Sequence, residues 1–215
     1  MLQKKDFVEV EFTARIKNTN EVFDSNIKKD LKKANLNVEA KPFVFSIGEG
    51  MFLKGIEDLL IGKDLGEYKF ELTPENAFGP RDSKLIQIIP MKVFKEQNLN
   101  PVQGFMFNFD GRVAKVLSVS GGRVIVDFNN PVAGKDVVYD VKILRKIEDL
   151  NEKIKSHINF FFRKDFDFEV KEDKIILNVD KGLKKFAELF SDKFKEVFEK
   201  SLEVMEKEDN KEPVN

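Results

Sequence analysis

An α+β fold in several parts is predicted by three features of the sequence. Alternating strands surround a short amphipathic helix, a second β-rich stretch interrupts them, and the patterning changes to helix, hairpin, helix after Glu148. From Val8 to Ile16 the side chains of Val8, Val10, Phe12, Ala14 and Ile16 are apolar, while Glu9, Glu11, Thr13 and Arg15 face the other way. That is the period of two of a strand with one buried face. A polar stretch over 26–41, with a short helical candidate at 30–34, leads to a second strand over 43–47 that Gly48 and Gly50 punctuate. Phe52, Leu53, Ile56, Leu59 and Leu60 have the three-and-four spacing of a short helix, and Gly62 suits its C-terminus. Tyr68, Phe70 and Leu72 alternate again until Pro74 stops them.

Residues 84–127 read as a small β-rich unit. Phe105, Phe107 and Phe109 alternate with polar neighbours, residues 113–119 form a strand, and Ser120-Gly121-Gly122 turns it back into residues 124–128. Val137, Tyr139, Val141 and Ile143 then restore a long strand, so 84–127 is predicted to be inserted in a host sheet that the returning chain completes. The predicted division is 1–83 with 128–147 as host, 84–127 as insert, 148–206 as a C-terminal unit and 207–215 as a frayed, charged tail. In the C-terminal unit Leu150, Ile154, Ile158 and Phe161 mark a helix. Phe166, Phe168, Val170, Ile175, Leu177 and Val179 mark a hairpin, and Leu183 through Met205 a long helix with Asp180 as N-cap.

Composition narrows the function classes. The 37 basic and 38 acidic residues are interspersed, which gives neither a nucleic-acid footprint nor a polybasic membrane anchor. No apolar run approaches the roughly 18 residues that span a bilayer, and residues 1–6 are polar, so a cytoplasmic protein is expected. Without cysteine there is no thiolate metal site and no disulfide framework. Phe occurs 22 times, Tyr twice and Trp never, which reflects either codon bias or apolar ring surface used for binding.

No conventional catalytic set is present. His157, the one histidine, sits in a helical pattern far from any Gly-x-Ser-x-Gly elbow, and Ile56-Glu57 follows Gly55 where a P-loop needs Lys then Ser or Thr. What the chain does contain is Val10-Glu11-Phe12-Thr13, Val22-Phe23-Asp24-Ser25, Pro42-Phe43-Val44-Phe45 with Ile47-Gly48-Glu49-Gly50, Phe52-Leu53-Lys54-Gly55-Ile56-Glu57, Asn76-Ala77-Phe78-Gly79 and Val138-Tyr139-Asp140-Val141. In that order these pieces resemble the FKBP-type prolyl isomerases, more closely their archaeal long form and its SlyD-like relatives. Residues 85–90 and 126–134 look like the two junctions of an insert-in-flap chaperone domain, and the resemblance covers roughly residues 6–147.

The resemblance implies an FKBP-like antiparallel sheet wrapped on a short helix, with the insert and an α-β-β-α C-terminal domain. It implies a proline pocket lined by Phe12, Phe23, Asp24, Phe43, Phe52, Leu53, Ile56, Phe78 and Tyr139, with no cofactor and no metal. The family often has Tyr at Phe12, often Trp at Ile56 and usually Tyr at Phe78. Loss of that last hydroxyl removes a donor to a bound carbonyl and argues against tight binding of the family's macrolide drugs, though not against isomerisation. Within the insert, Met91, Phe94, Phe105 and Phe107 are the expected contacts to unfolded chains, unless they simply fill its core. The expected partners are unfolded or proline-containing polypeptides. The apolar stripe Leu183, Phe186, Ala187, Phe190, Phe194, Val197 and Met205 must be buried somewhere, either in a homodimer or on the chain's own enzyme domain. The competing function is a holdase with little or no isomerase activity, which the pocket's departures from the family pattern favour.

Overall fold

The computed structural model describes residues 1–109 and 111–207; the predicted tail beyond Lys207 lies outside the described residues. Along the chain β1 (Phe7–Ile16), β2 (Val22–Ser25), helix α1 (Lys28–Lys33), β3 (Phe43–Ser46), helix α2 (Lys54–Leu60) and β4 (Gly66–Leu72) come first. Next are β5 (Ile86–Pro90), helix α3 (Met91–Glu96), β6 (Met106–Phe109), β7 (Arg112–Ser120), β8 (Arg123–Asp127) and the long β9 (Val137–Ile147). Helix α4 (Leu150–Phe162), β10 (Asp167–Val170), β11 (Lys174–Val179), helices α5 (Lys184–Glu188) and α6 (Ser191–Phe198) and β12 (Ser201–Glu206) follow.

A 5-stranded antiparallel sheet runs β2-β1-β9-β4, with β3 also paired to β1. Strand β1 is its spine. β9 pairs with one edge from Phe7 to Ile16, while on the other edge β3 takes Phe7 to Val10 and β2 takes Thr13 to Arg15. A side chain bridges the gap between β3 and β2. Asn26 Oδ1 accepts from the Phe12 N–H at 2.7 Å, and its Nδ2 donates to the Val10 carbonyl at 2.9 Å, so these backbone groups stay satisfied without a strand beside them. The even residues Val8, Val10, Phe12, Ala14 and Ile16 face one core, as the alternation predicts, and α2 lays Ile56 and Leu60 against it. Gly55 allows the helix its close approach: a Cβ there would fall 2.2 Å from the Asn76 carbonyl oxygen.

The 4-stranded sheet, β5-β8-β7-β6, is antiparallel throughout and has its own core of Phe94, Phe109, Ala114, Val116, Val124 and Val126. Helix α3, which carries Phe94, was not legible in the β-rich pattern. Where the chain enters and leaves this sheet, Asn129 ties the two passages together. It accepts from the Asp82 N–H at 2.8 Å, donates to the Asp82 carbonyl at 2.9 Å, and donates to Asp127, which also pairs with Arg81.

The 3-stranded sheet is β10-β11-β12. The predicted hairpin forms, but the predicted long helix over 183–205 does not. Its residues divide into α5, α6 and β12, and β12 runs parallel to β11. Glu199 adopts a left-handed φ of 57° that ends α6, after which Leu202 and Val204 alternate with exposed neighbours and fill the free edge of β11. A sheet edge in need of backbone partners overrides the helical spacing of the stripe. Nor is Asp180 an N-cap: Leu183 holds that position without a side-chain bond, and the Asp180 carboxylate pairs with Lys164.

Most of the stripe is covered within the chain, whereas Phe186 and Met205 stay exposed. Ala187, Phe194 and Phe198 are buried in one cluster with Ile154, Ile158 and Ile175, and Phe7 and Ile147 of the 5-stranded sheet belong to the same cluster. Phe7 projects from the face of β1 opposite Val8, so the spine strand is covered on both sides at its beginning. Two polar contacts accompany this packing. Lys193 Nζ lies 2.5 Å from Glu49, and Lys5 donates to the Glu196 carbonyl at 2.8 Å.

Candidate active site

Phe12, Phe23, Phe43, Phe45, Phe52, Phe78 and Tyr139, on and beside the 5-stranded sheet, form one connected ring network. Phe52 is its hub, with centroids 4.9 Å from Phe12, 5.7 Å from Phe43, 5.3 Å from Phe45 and 5.9 Å from Tyr139. Phe23 meets Tyr139 edge-on at 6.0 Å and Phe78 edge-on at 5.6 Å. These separations and tilts are those in which the positive ring edge meets the negative ring face. The rings come from four strands and two turns, Phe43 and Phe45 sharing one strand. Phe12 projects inward from β1 and pairs across the ladder with Val141, and Tyr139 lies beside Ala14 on β9. Phe23 and Asp24 are on β2, Phe43 on β3, Phe52 and Leu53 precede α2, and Phe78 follows the turn after Pro74.

The residues implied by the resemblance therefore gather around one core, although in different capacities. Phe12, Ile56 and Tyr139 are buried in it, and Phe23, Phe43, Phe52, Leu53 and Phe78 are partly buried against it. An open hollow of about 330 Å³ is lined by Phe12, Asp24, Phe43 and Phe52, together with Met51, Pro42, Glu39 and Lys41; Phe23, Leu53, Phe78 and Tyr139 belong to the core beside it and do not line it. Ile56 is 0% exposed and offers a ligand no surface in this conformation, so it supports the floor from beneath.

Buried polar groups hold this wall in place. Glu57, 1% exposed on α2, accepts backbone N–H donors from Gly48 at 2.7 Å, Gly50 at 3.2 Å and Phe52 at 2.6 Å. One carboxylate thus fixes the loop that delivers Phe52 to the hub. On the other side Thr13 Oγ1 and Ser25 Oγ lie 3.0 Å apart, and Ser25 donates to the Phe12 carbonyl at 3.0 Å. These bonds clamp β2 to β1 and set the position of Asp24 at the mouth of the hollow.

Asp24 is exposed at the rim, yet the rings behind it withdraw water from one side. This desolvation raises its carboxyl above the ordinary carboxylate range, against the opposing pull of the Ser25 backbone N–H. Burial, and then the negative charge of Asp24, push the Tyr139 phenol upward, so Tyr139 stays protonated at neutral pH. The site holds no nucleophile and base pair. His157 is buried among Phe7, Phe161, Phe194 and Phe198, in the other core. Among the described residues no group of three or more His, Cys, Asp or Glu side chains could hold a metal ion.

Sequence reasoning did not single out Glu57, Phe45, Phe160 or Arg163. Glu57 stands as a carboxylate on an otherwise apolar helix face, and Phe45 shares a strand face with Phe43; both signals were visible. Phe160 and Arg163 come from α4, and nothing local in the sequence announces that they line the hollow. In the 4-stranded sheet Phe94 is 0% exposed at the centre of the core, so it offers no surface for capture; Met91 and Phe107 are partly buried against it. The open apolar surface there belongs to Phe105, 58% exposed, with Met106 and Val102 beside it.

A family model described as FKBP-type peptidyl-prolyl cis-trans isomerase matches residues 1–96, and one described as FKBP26, IF domain, matches residues 87–132. The chain is 31% identical over 147 residues to the short-type peptidyl-prolyl cis-trans isomerase of Methanocaldococcus jannaschii, a match covering 66% of this chain and 92% of that protein. It is 28% identical to the isomerase SlyD of Helicobacter pylori, over 67% of this chain and 75% of the relative. It is 30% identical to the FKBP-type 16 kDa isomerase of Escherichia coli, over 48% of this chain and 73% of the relative. The chain belongs to the FKBP-type peptidyl-prolyl cis-trans isomerase family.

Proposed function

We propose that X-Pro amides turn in the ring-walled hollow at Asp24, and that the 84–127 unit captures unfolded polypeptides and presents them to it in the cytoplasm. In this reading residues 1–83 with 128–147 form the isomerase domain, 84–127 an inserted chaperone domain and 148–206 a C-terminal domain. The observation that carries the catalytic reading is the ring network, whose members Phe12, Phe43 and Phe52 wall an open hollow that Asp24 also lines, while the second lining carboxylate, Glu39, is engaged by Lys41.

Rotation about an X-Pro bond needs no proton transfer. Its barrier is about 18–20 kcal/mol, because amide resonance is lost at the half-turned geometry. The planar amide is more polar and better solvated than the twisted one, so a cavity of rings with little water favours the twisted form. This is differential binding of the transition state. A thousandfold acceleration requires only about 4 kcal/mol. Asp24 orients the amide through its carboxylate, while Phe12, Phe43 and Phe52 supply the apolar wall.

Support for the chaperone reading is the exposed cluster of Val102, Phe105 and Met106, apolar surface that the core of the 4-stranded sheet does not use. Deleting residues 84–127 is expected to leave turnover of a proline tetrapeptide intact and to abolish efficient refolding of a proline-limited protein. Unchanged refolding would reject the capture role. Homodimerisation is a separate proposal, resting on Phe186, Leu189 and Met205, which stay exposed while the rest of the stripe is covered. Light scattering of the full chain against a truncation after Lys146 tests it, and an unchanged monomer mass removes it.

A further inference from the structure

The prolyl hollow is not built from the isomerase sheet alone. Its lining includes Phe160 and Arg163 at the end of α4, with the Phe160 ring centroid 6.3 Å from that of Phe43. A second groove of about 420 Å³ shares Lys41, Pro42, Phe43, Phe160 and Arg163 with the hollow and continues along α4 past Lys155, Ser156 and Asn159. A polypeptide seated in the hollow therefore has one open path that leads along α4.

The charges on that path are unevenly committed. Glu152 is engaged by Arg145, Asp165 accepts from Asn159 at 3.1 Å, and Lys41 pairs with Glu39 at 3.1 Å. Arg163 has no carboxylate within ion-pair distance among the described residues; its guanidinium lies over the Phe160 ring, 5.3 Å from the centroid. Its backbone is in the left-handed region at φ 54°, where an arginine is disfavoured and glycine is the usual occupant, and its N–H closes the helix on the Asn159 carbonyl at 2.9 Å. Packing and local backbone preference do not account for an arginine here. The same hollow is lined by the opposite charge of Asp24, and by Glu39, which Lys41 engages.

We propose that Phe160 and Arg163 form the second wall of the substrate groove and select polypeptides with an acidic side chain beside the proline, on the flank that leaves the hollow along α4. The guanidinium, held flat on a ring, is preorganised to meet a carboxylate with two parallel N–H donors. Asp24, which also lines the hollow, repels an acidic side chain from the other flank, so the preference has a direction along the chain.

This inference rests on the hollow being the prolyl site, and the test separates the two. Peptides built on Ala-Leu-Pro-Phe, extended at either end by Glu, Gln or Lys, are compared by NMR exchange with the full-length protein. The wild type is expected to favour Glu over Gln at one end by about two- to fivefold in kcat/KM, the range of an exposed ion pair. It is expected to disfavour Lys there, with the Glu preference shrinking at high salt. Arg163→Gln is expected to bring the Glu to Gln ratio to one, and Arg163→Glu to invert it. Arg163→Gly relieves the left-handed backbone, so a lost ratio in a variant at least as heat-stable as the wild type excludes misfolding as the cause. A wild-type ratio of one at both ends, or a ratio that survives Arg163→Gln, overturns the selectivity. Asp24→Ala tested on the Gln peptide addresses the site itself, since an undiminished rate there removes the assignment of the hollow and not merely its preference.

Discussion

His157 gives the fold a defined weakness in mild acid. The ring is 0% exposed, both its nitrogens lack a hydrogen-bond partner among the described residues, and it is packed by Phe7, Phe161, Phe194 and Phe198. Burial, and then the nearby Lys193 ammonium, which Glu49 partly offsets, hold its pKa down at about 4 against an ordinary 6.5. A depressed imidazole pKa means that the unfolded chain binds the proton first. Stability is therefore fully present above pH 6.5 and declines as pH falls from 6.5 toward 4, where the loss saturates. At pH 5.5, still above most carboxylate titration, the loss is about 1–2 kcal/mol; by pH 4 it reaches about 3 kcal/mol. Replacing His157 by Phe removes the titrating group and keeps an aromatic ring among aromatic neighbours. Because the chain has no Trp, urea unfolding is best followed by far-UV circular dichroism, at pH 7.5, 6.5 and 5.5. The stability difference between wild type and His157→Phe should shift in the variant's favour by about 1–2 kcal/mol over that range. Parallel pH profiles for the two proteins would refute the reasoning.

Glu57→Gln weakens the acceptor that holds the Gly48, Gly50 and Phe52 N–H groups, and is expected to cost about 2–4 kcal/mol in thermal unfolding and to lower kcat/KM as Phe52 loosens. Lys193→Met leaves the buried Glu49 carboxylate without its cation and should destabilise by about 3 kcal/mol, with most of the loss recovered in the Glu49→Gln double variant; additive losses would show that the pair is uncoupled. Phe78→Tyr restores a hydroxyl donor beside Phe23 and should tighten macrolide binding by about fivefold in calorimetry, the worth of one hydrogen bond.

The strands of the 5-stranded sheet were legible because each buries one face, so period-two alternation survives in β1, β4 and β9 whatever else the chain does. Strands β7 and β8 of the second sheet were legible too, from alternation broken at Ser120-Gly121-Gly122. The division of 183–206 was not. Helical spacing in Phe186, Phe190 and Phe194 extrapolates smoothly, whereas the demand that turns Ser201–Glu206 into a strand comes from the open edge of β11, a tertiary fact. The pocket shows the same contrast. Nothing in Phe12, Phe23 or Phe43 taken singly distinguishes a wall from a core, and their family order drew them together. Phe160 and Arg163 lie beyond the span of that order, and the packing of α4 beside β3 brings them to the hollow.

Catalysis in this hollow depends on its rings and the Asp24 carboxylate easing an amide through its twisted state. Isomerisation of Ala-Leu-Pro-Phe by NMR exchange, for the wild type beside Asp24→Ala and Phe78→Ala, tests it most directly. Clear catalysis by the wild type, a loss of about tenfold or more in Asp24→Ala and a smaller loss in Phe78→Ala are predicted, the first equivalent to about 1.4 kcal/mol of transition-state stabilisation. A wild type that leaves the uncatalysed rate unchanged, or an Asp24→Ala variant as fast as the wild type, would contradict it.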